Sequence, residues 1–222
     1  MDTSALQAYC TQHGLSIDCE LVSDFGESLY EANRVTNLTR VPESDFIVRH
    51  VIDSLLVQEF IQVGSTVLDI GSGPGLPAWP VALARTDLEV TALDSSGKML
   101  GFLRQWPLPN LIILEGRAEA DLPRSKYDVV TGRAVAPLAI QLELSAPAAK
   151  LGGAVVPFRS SREDIQVSEK SLGHLGLELE STHVRDVPST DITRVFPVFR
   201  KVSKTDSGFP RPWGKMRTNP LT

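Results

Sequence analysis

An acidic residue followed by three alternating glycines carries the clearest chemical signal in this sequence. Asp69 lies near the end of an apolar run, and Gly71, Gly73 and Gly75 follow it. Glycine has no Cβ, so such a turn can bring the backbone close to a ligand. A second acid, Asp94, ends the next apolar run, where a carboxylate holds ribose hydroxyls in nucleoside-binding α/β folds. Together the two signals predict a ligand that contains adenosine.

Two kinds of adenosine ligand compete for this pattern. From Gly73 to Ala78 the residues match the G-x-G-x-x-A fingerprint of dinucleotide-binding domains. From Asp69 onward they match the D-x-G-x-G-x-G pattern of S-adenosylmethionine-dependent methyltransferases. A carboxylate at Asp69 would repel a pyrophosphate and attract an ammonium or sulfonium group. Pro74 and Pro77 also lack the N–H groups that a phosphate requires. The residues therefore favour S-adenosylmethionine, with NAD as the alternative.

The elements that must position these residues follow an alternating order. Strands are predicted near 66–70, 89–93, 111–114, 127–131 and 153–157, and helices near 78–85, 96–105, 137–149 and 161–175. Such alternation predicts an α/β fold with a doubly wound, mostly parallel sheet. Two further strands, near 177–185 and 194–202, are expected to pair as a hairpin. The expected organisation is a helical segment at 1–62 packed on the core, an α/β domain at 63–204 and a mobile basic tail at 205–222.

The chain has 222 residues, of which 42% are hydrophobic. This length and composition are typical of one compact enzyme domain. No run approaches the roughly 20 apolar residues of a membrane span. The beginning of the chain lacks the features of a signal peptide, so we expect a cytoplasmic protein, as a monomer. Two cysteines form no metal-type cluster. His50 and Asp53 share one helical face, but two ligands are too few for a metal site, so none is expected.

The end of the chain has the opposite charge from its body. Residues 194–222 contain seven basic side chains and one acid, whereas the whole chain has a net charge of −5. Such asymmetry is typical of an acidic body with a basic arm. We expect Arg211, Lys215 and Arg217 to contact RNA phosphates. The alternative is that aromatic residues such as Trp213 pack this segment against the body.

A series of short motifs matches a known family over nearly the whole chain. They are Asn37-Leu38-Thr39, Val48-Arg49-His50 with Asp53-Ser54, Asp69 through Pro77, Leu93-Asp94-Ser95, Phe102-Leu103-Arg104, Arg117-Ala118-Glu119, Arg133-Ala134-Val135-Ala136 and Pro210-Arg211-Pro212-Trp213-Gly214. With these motifs the chain resembles the bacterial 16S ribosomal RNA guanine-N7 methyltransferases of the RsmG type, also called glucose-inhibited division protein B. The resemblance implies a class I, Rossmann-like methyltransferase fold, S-adenosylmethionine as cofactor, and 16S ribosomal RNA or the small ribosomal subunit as partner.

The resemblance also implies roles for particular residues. By the resemblance, Gly71, Leu76, Ala118, Glu119 and Arg133 fall at cofactor-binding positions. With the residues of the glycine turn and of the second acidic motif, the expected cofactor-binding residues also include Asp69, Gly73, Gly75, Asp94 and Ser95. The candidates for positioning the substrate are Arg133, Arg159, His50 and Asn37. One departure is that Arg159-Ser160 stands where the family usually has Lys-Gly, and Arg keeps the charge of Lys but not its geometry. A cofactor-binding RNA or ribosome-assembly module without catalysis is therefore a second alternative.

The expected chemistry needs no catalytic base. Guanine N7 carries an exposed lone pair and no proton, and the methyl group of S-adenosylmethionine is already activated by the sulfonium. The protein then has to align the two reactants, which can lower a barrier by several kcal/mol. A guanine in a single-stranded loop is the easiest target for a recessed pocket.

Overall fold

The computed structural model describes residues 1–163 and 165–221 and contains a seven-stranded sheet among them. The strands are β1 (Thr66–Ile70), β2 (Glu89–Asp94), β3 (Leu111–Glu115), β4 (Tyr127–Arg133), β5 (Ala149–Ser160), β6 (Leu177–Asp186) and β7 (Thr193–Lys201). Their order in the sheet is β3-β2-β1-β4-β5-β7-β6. The predicted α/β class is therefore confirmed.

The direction of the strands determines where a ligand can bind. The strands β1 to β5 pair in parallel, and β7 pairs antiparallel with both β5 and β6, so the predicted hairpin at the end of the sheet is confirmed. The order reverses between β1 and β4, which lie next to each other at the centre. Ligands of open α/β sheets bind at the carboxyl ends of the strands beside such a reversal.

Helices cover both faces of the sheet, as right-handed crossovers between parallel strands require. They are α4 (Ala78–Ala84), α5 (Gly97–Leu103), α6 (Leu138–Ser145) and α7 (Glu169–Leu175). The predicted boundaries of two of these helices were wrong. The helix expected at 137–149 ends at Ser145, because Ala149 already pairs with Tyr127 in the sheet. The helix expected at 161–175 begins at Glu169, where the Ser168 hydroxyl caps it; Asp164 lies outside the described residues.

The N-terminal segment is helical and packs on the α/β core. It contains α1 (Ser4–His13), α2 (Cys19–Asn33), a π-helix (Phe46–Ile52) that leads into α3 (Asp53–Leu55), and flanking 3₁₀ turns. Phe25 of α2 stacks on the fully buried Trp79 of α4, with ring centroids 4.1 Å apart. Burial of large aromatic side chains contributes strongly to core stability, so this contact holds the segment against the sheet.

The basic tail differs from the mobile arm that we expected, because much of it packs on the body. It contains α8 (Trp213–Thr218), and Met216 of this helix is fully buried. The guanidinium of Arg211 binds the buried carboxylate of Glu143, so its expected contact with RNA phosphates is wrong for this structure. Lys215 and Arg217 are exposed, and their contact with RNA stays a prediction.

Candidate active site

A pocket of about 170 Å³ opens at the carboxyl ends of β1, β2 and β3. We name it the cofactor pocket. Its lining consists of Ile70, Gly71, Leu93, Asp94, Ser95, Gly116, Arg117, Ala118, Glu119, Val135, Leu144 and Trp213. The parallel register places residues that are distant in the sequence side by side here, since Ile70 pairs with Leu93 and Asp94 with Glu115.

The glycine turn after β1 is held to the end of β2 by hydrogen bonds. The N–H of Gly71 donates to the carbonyl of Leu93 (2.8 Å), and the N–H of Gly73 donates to Oδ2 of Asp94 (2.8 Å). Oδ1 of Asp94 accepts from the N–H of Ser96 (2.8 Å). A carboxylate has about four lone-pair sites, so Asp94 keeps acceptor capacity for ribose hydroxyls while it fixes the turn.

Gly71 meets a steric requirement that other residues would violate. Its φ is +70°, a conformation that L side chains rarely adopt. A Cβ at this position would lie 3.2 Å from Cγ2 of Val135, on the side where the pocket opens. The backbone here forms a cradle that a side chain would fill, which fits a ligand lying against the turn.

Asp69 is buried in β1 and is not among the described residues that line the cofactor pocket. It is 1% exposed, its Oδ2 accepts from the N–H of Ala78 (3.1 Å), and its Oδ1 has no partner among the described residues. Burial raises the pKa of this carboxyl well above its usual range, which disfavours its charged form. Asp69 thus links β1 to the start of α4, and its predicted role as a charged partner of the cofactor stays a prediction.

A second pocket, of about 380 Å³, lies between the N-terminal segment and the ends of β4, β5 and β7. Its lining consists of Thr39, Arg40, Val41, Arg49, His50, Asp53, Arg133, Ala134, Phe158, Arg159, Glu163, Ile192 and Arg194. We name it the arginine pocket, because among these described residues five are arginines and only two are acids. Its positive charge fits an anionic or electron-rich ligand.

Asp53 organises the arginine pocket from within the protein. It is fully buried and binds two guanidinium groups: Nη1 of Arg133 lies 2.6 Å from its Oδ2, and Nε of Arg194 lies 2.7 Å from its Oδ1. Nη2 of Arg194 adds a third bond, of 2.8 Å. Buried charges require such pairing. One side chain of the N-terminal segment therefore fixes arginines from β4 and β7.

His50 is held as a neutral ring in the same pocket. Its Nδ1 accepts from Nη2 of Arg133 (3.4 Å), since a guanidinium can only donate. Its Nε2 then carries the proton and donates to the hydroxyl of Thr39 (2.6 Å). Burial, together with the nearby charge of Arg133, lowers the pKa of His50 to about 3.

Arg159 fixes the loop that follows β4. Its guanidinium donates to the carbonyl of Ala136 (3.0 Å) and to Oε1 of Gln141 (2.7 Å), and it pairs with Glu163. The residue is 5% exposed. The three partners occupy most of the donors of this side chain, so it supports the wall of the arginine pocket rather than reaching freely into it.

The carboxyl end of β4 separates the two pockets. Arg133 and Ala134 line the arginine pocket, and Val135 lines the cofactor pocket. Ala134 has a φ of +57°, which is uncommon for a residue with a Cβ and marks a sharp change of backbone direction. Residues 133–135 therefore form a thin partition between the two pockets. A ligand in the cofactor pocket would lie close to a ligand in the arginine pocket.

A larger cleft of about 400 Å³ lies at the opposite edge of the sheet, beside Gly64, Asp128 and Gly152. There the carboxylate of Asp128 is bound to Thr66 and Lys150. Ligands of this sheet type bind at the carboxyl edge, so we place the active site at the two smaller pockets.

Comparison with known proteins agrees with this geometry. The model of the family described as rRNA small subunit methyltransferase G matches residues 18–192. A protein of Lachnoclostridium phytofermentans named ribosomal RNA small subunit methyltransferase G is 36% identical, with 87% of this chain and 85% of that protein covered. The protein of the same name from Clostridium botulinum is 32% identical, with 97% of each chain covered. The chain belongs to this family.

Solved structures support the same fold. A TehB-like S-adenosylmethionine-dependent methyltransferase of Corynebacterium glutamicum is similar with a TM-score of 0.54 and 18% identity, covering 79% of this chain and 98% of that one. The structure of M. jannaschii TYW2 in complex with AdoMet has a TM-score of 0.52 and 16% identity, covering 68% of this chain and 76% of that one. At such identities the similarity concerns the fold, which is the class I methyltransferase fold.

The structure brings together half of the predicted cofactor-binding residues of this methyltransferase in the cofactor pocket. Five of the predicted cofactor residues line the cofactor pocket: Gly71, Asp94, Ser95, Ala118 and Glu119. Gly73 does not line the pocket, but its N–H donates to the Asp94 carboxylate, which does. Gly75 faces the core instead, where a Cβ would lie 2.4 Å from Leu103, and Leu76 is 7% exposed. Their contact with the cofactor stays a prediction.

The candidates for positioning the substrate divide in a similar way. Arg133, Arg159 and His50 line the arginine pocket. Asn37 is exposed in the preceding loop and is not among the described residues that line either pocket. Sequence reasoning missed Arg194, whose only signal was its positive charge, because its partner Asp53 lies 141 positions away.

Other features to consider in the described part of the chain are a metal site and a helix that could span a membrane. No group of three or more histidine, cysteine or acidic residues in it could hold a metal ion. No helix in the same part is both long and apolar enough to cross a membrane.

Proposed function

We propose that this methyltransferase transfers a methyl group from S-adenosylmethionine to N7 of a guanine in 16S ribosomal RNA. The observation that carries the proposal is the partition at the end of β4. It separates a pocket built for an adenosine ligand from a pocket rich in arginine by only Arg133, Ala134 and Val135. Membership of the family supports the ribosomal substrate.

The cofactor pocket fits S-adenosylmethionine better than NAD. Asp94 would accept from the ribose hydroxyls with its remaining lone pairs, and Gly71 would lie against the cofactor where no Cβ intervenes. Glu119, which lines the pocket with a side chain 16% exposed, would accept from an exocyclic amine. Pro74 and Pro77 remove backbone donors from the turn, which disfavours a pyrophosphate.

The arginine pocket would hold the guanine and the adjoining RNA backbone. Arg40 is exposed at its rim and Arg49 is half-exposed, so both can reach phosphates, which sequence-independent RNA binding requires. Inside the pocket, guanidinium groups are suited to the O6 and N7 edge of guanine. N7 itself must stay free for the methyl group, so we expect O6 to be the bound acceptor.

The arrangement accounts for a transfer without a catalytic base. S-adenosylmethionine supplies an activated methyl group when bound, and guanine N7 has no proton to lose. His50, the one imidazole that lines the arginine pocket among the described residues, is engaged at both nitrogens. The protein's own contribution is to orient the two ligands on either side of residues 133–135, which is the positioning effect.

The alternatives predict different behaviour. An assembly module without catalysis would bind the cofactor and RNA but transfer nothing, and an oxidoreductase would bind NAD. We also propose a cytoplasmic location, which a bacterial ribosomal substrate supports, and a monomeric state.

Methyl transfer to small ribosomal subunits tests the proposal. Subunits that lack the modification would be incubated with the protein and S-adenosylmethionine labelled in the methyl group, and the RNA digested to nucleosides. We expect the label in 7-methylguanosine. Label in an N2-methylated or ribose-methylated nucleoside would contradict the proposed acceptor, and no transfer with intact cofactor binding would support the assembly module.

A further inference from the structure

The cofactor pocket has one wall that comes from the end of the chain. Trp213, the first residue of α8, lines this pocket together with Asp94, Ala118 and Glu119. Asp94 ends β2, and the other two follow β3, so Trp213 shares this pocket with the residues that we expect to hold the ribose and the base. The basic tail therefore extends to the site of cofactor binding.

A buried ion pair fixes the chain two residues before Trp213. Oε1 of Glu143 accepts from the backbone N–H of Arg211 (2.7 Å) and from its Nε (2.8 Å), and Oε2 accepts from Nη2 (2.6 Å). Glu143 is fully buried, and the next residue, Leu144, lines the cofactor pocket. A buried carboxylate without its partner is strongly unfavourable, so this pair holds the tail beside the pocket.

Further contacts fix the tail on both sides of the ion pair. Met216 is fully buried in the apolar cluster that includes Leu144 and against which Ala118 packs. Before the pair, Nη1 of Arg124 donates to the carbonyl of Phe209 (2.9 Å). Because these contacts lie before and after Trp213, the indole has a defined place beside the pocket.

We propose that Trp213 contacts the adenosine half of S-adenosylmethionine and that residues 205–221 form part of the cofactor site. This inference rests on the cofactor assignment but not on the RNA substrate. An indole offers a flat apolar surface to a purine or a ribose, and such base–aromatic contacts are worth about 1–3 kcal/mol when removed by alanine. A loss of about 1.4 kcal/mol, near the lower end of that range, means that Trp213→Ala raises the Kd for the cofactor about tenfold.

Tryptophan fluorescence tests the contact without any activity measurement. The sequence has three tryptophans, and Trp79 and Trp106 lie in the aromatic cluster around Phe25. S-adenosylhomocysteine should change the emission of the wild type and of Trp106→Phe. It should leave the emission of Trp213→Phe unchanged. Calorimetry should nevertheless show that this variant binds S-adenosylhomocysteine, with a Kd within about threefold of the wild-type value.

Calorimetry on further variants completes the test. Trp213→Ala should bind S-adenosylhomocysteine about tenfold more weakly, whereas Thr218→Ala, an exposed position on the same helix, should bind as the wild type does. An emission change that persists in Trp213→Phe, or equal Kd values for Trp213→Ala and wild type, would overturn the inference. If the wild type itself bound no S-adenosylhomocysteine, the cofactor assignment would fail first. If the alanine variant did not fold, the phenylalanine variant would still decide.

Discussion

Arg133 at the end of β4 and Asp53 in the N-terminal segment are joined by an ion pair of 2.6 Å that is almost completely buried. The pair connects the partition between the two pockets to an element that lies outside the sheet. Arg194 of β7 binds the same carboxylate. The geometry of the substrate side thus depends on Asp53, a fully buried carboxylate that both arginines share.

Loss of the Asp53 charge should destabilise the protein strongly. Asp53→Asn leaves two guanidinium groups without their buried partner, and breaking a buried pair costs about 3–5 kcal/mol. We expect urea unfolding to show a loss of this size. Asp45→Asn is the matched control, because Asp45 and Arg49 form an ion pair in which each side chain is 39% exposed, and such pairs contribute less than about 1 kcal/mol. Similar losses in both variants would contradict the organising role of Asp53.

Cofactor recognition should depend on Asp94. S-adenosylhomocysteine at about 100 times its Kd stabilises the folded state by about 2.7 kcal/mol. At this chain length each kcal/mol of stabilisation raises the Tm by about 2–4 °C. NAD should give no shift. Asp94→Ala should lose most of the response, while Glu115→Ala, the acid paired with Asp94 in the register of β3, should keep it. A larger shift with NAD would favour the oxidoreductase.

Acid should destabilise the fold through His50. The pKa of this ring is lowered to about 3, whereas a histidine in the unfolded chain has a pKa of about 6.5. Between these two values the unfolded state binds more protons, so the free energy of unfolding falls as the pH falls below about 6.5, by up to about 1.4 kcal/mol per unit.

His50→Gln should reduce this pH dependence. The measurement is the change in the free energy of unfolding with pH, between pH 6.5 and pH 4.5, in the wild type, His50→Gln and His174→Gln. His174→Gln is the control, because the wild-type His174 ring lies beside Asp206 in a more exposed position. We expect the slope to become shallower only in His50→Gln. Parallel curves for all three proteins would show that His50 is not held neutral.

Local features of the sequence were enough to predict the centre of the fold. The buried strand that contains Asp69 and the turn from Gly71 to Gly75 are contiguous. The apolar pattern of the strand and the glycines of the turn can be recognised in the sequence without any knowledge of distant partners. Asp94 could be predicted because parallel strands end at one edge of the sheet. The same reasoning identified Arg133, which closes β4.

The residues that could not be predicted obtain their role from distant partners. Glu143 and Arg211 lie 68 positions apart, and neither looks different in the sequence from an exposed charge. The tail was expected to be mobile because its proline, glycine and basic residues are typical of such segments. The buried carboxylate that holds it lies inside α6, where nothing in the local pattern shows that a glutamate points inward.

Chemical cleavage of the methylated RNA tests the central claim most directly. Small subunits that lack the modification would be incubated with S-adenosylmethionine and either the wild type or Gly71→Val, and the RNA treated with reagents that cleave the strand at 7-methylguanine. We expect one new cleavage position with the wild type and none with Gly71→Val, because the added side chain meets Val135 and occupies the cofactor cradle. Methyl label incorporated by the wild type without strand cleavage would contradict transfer to guanine N7.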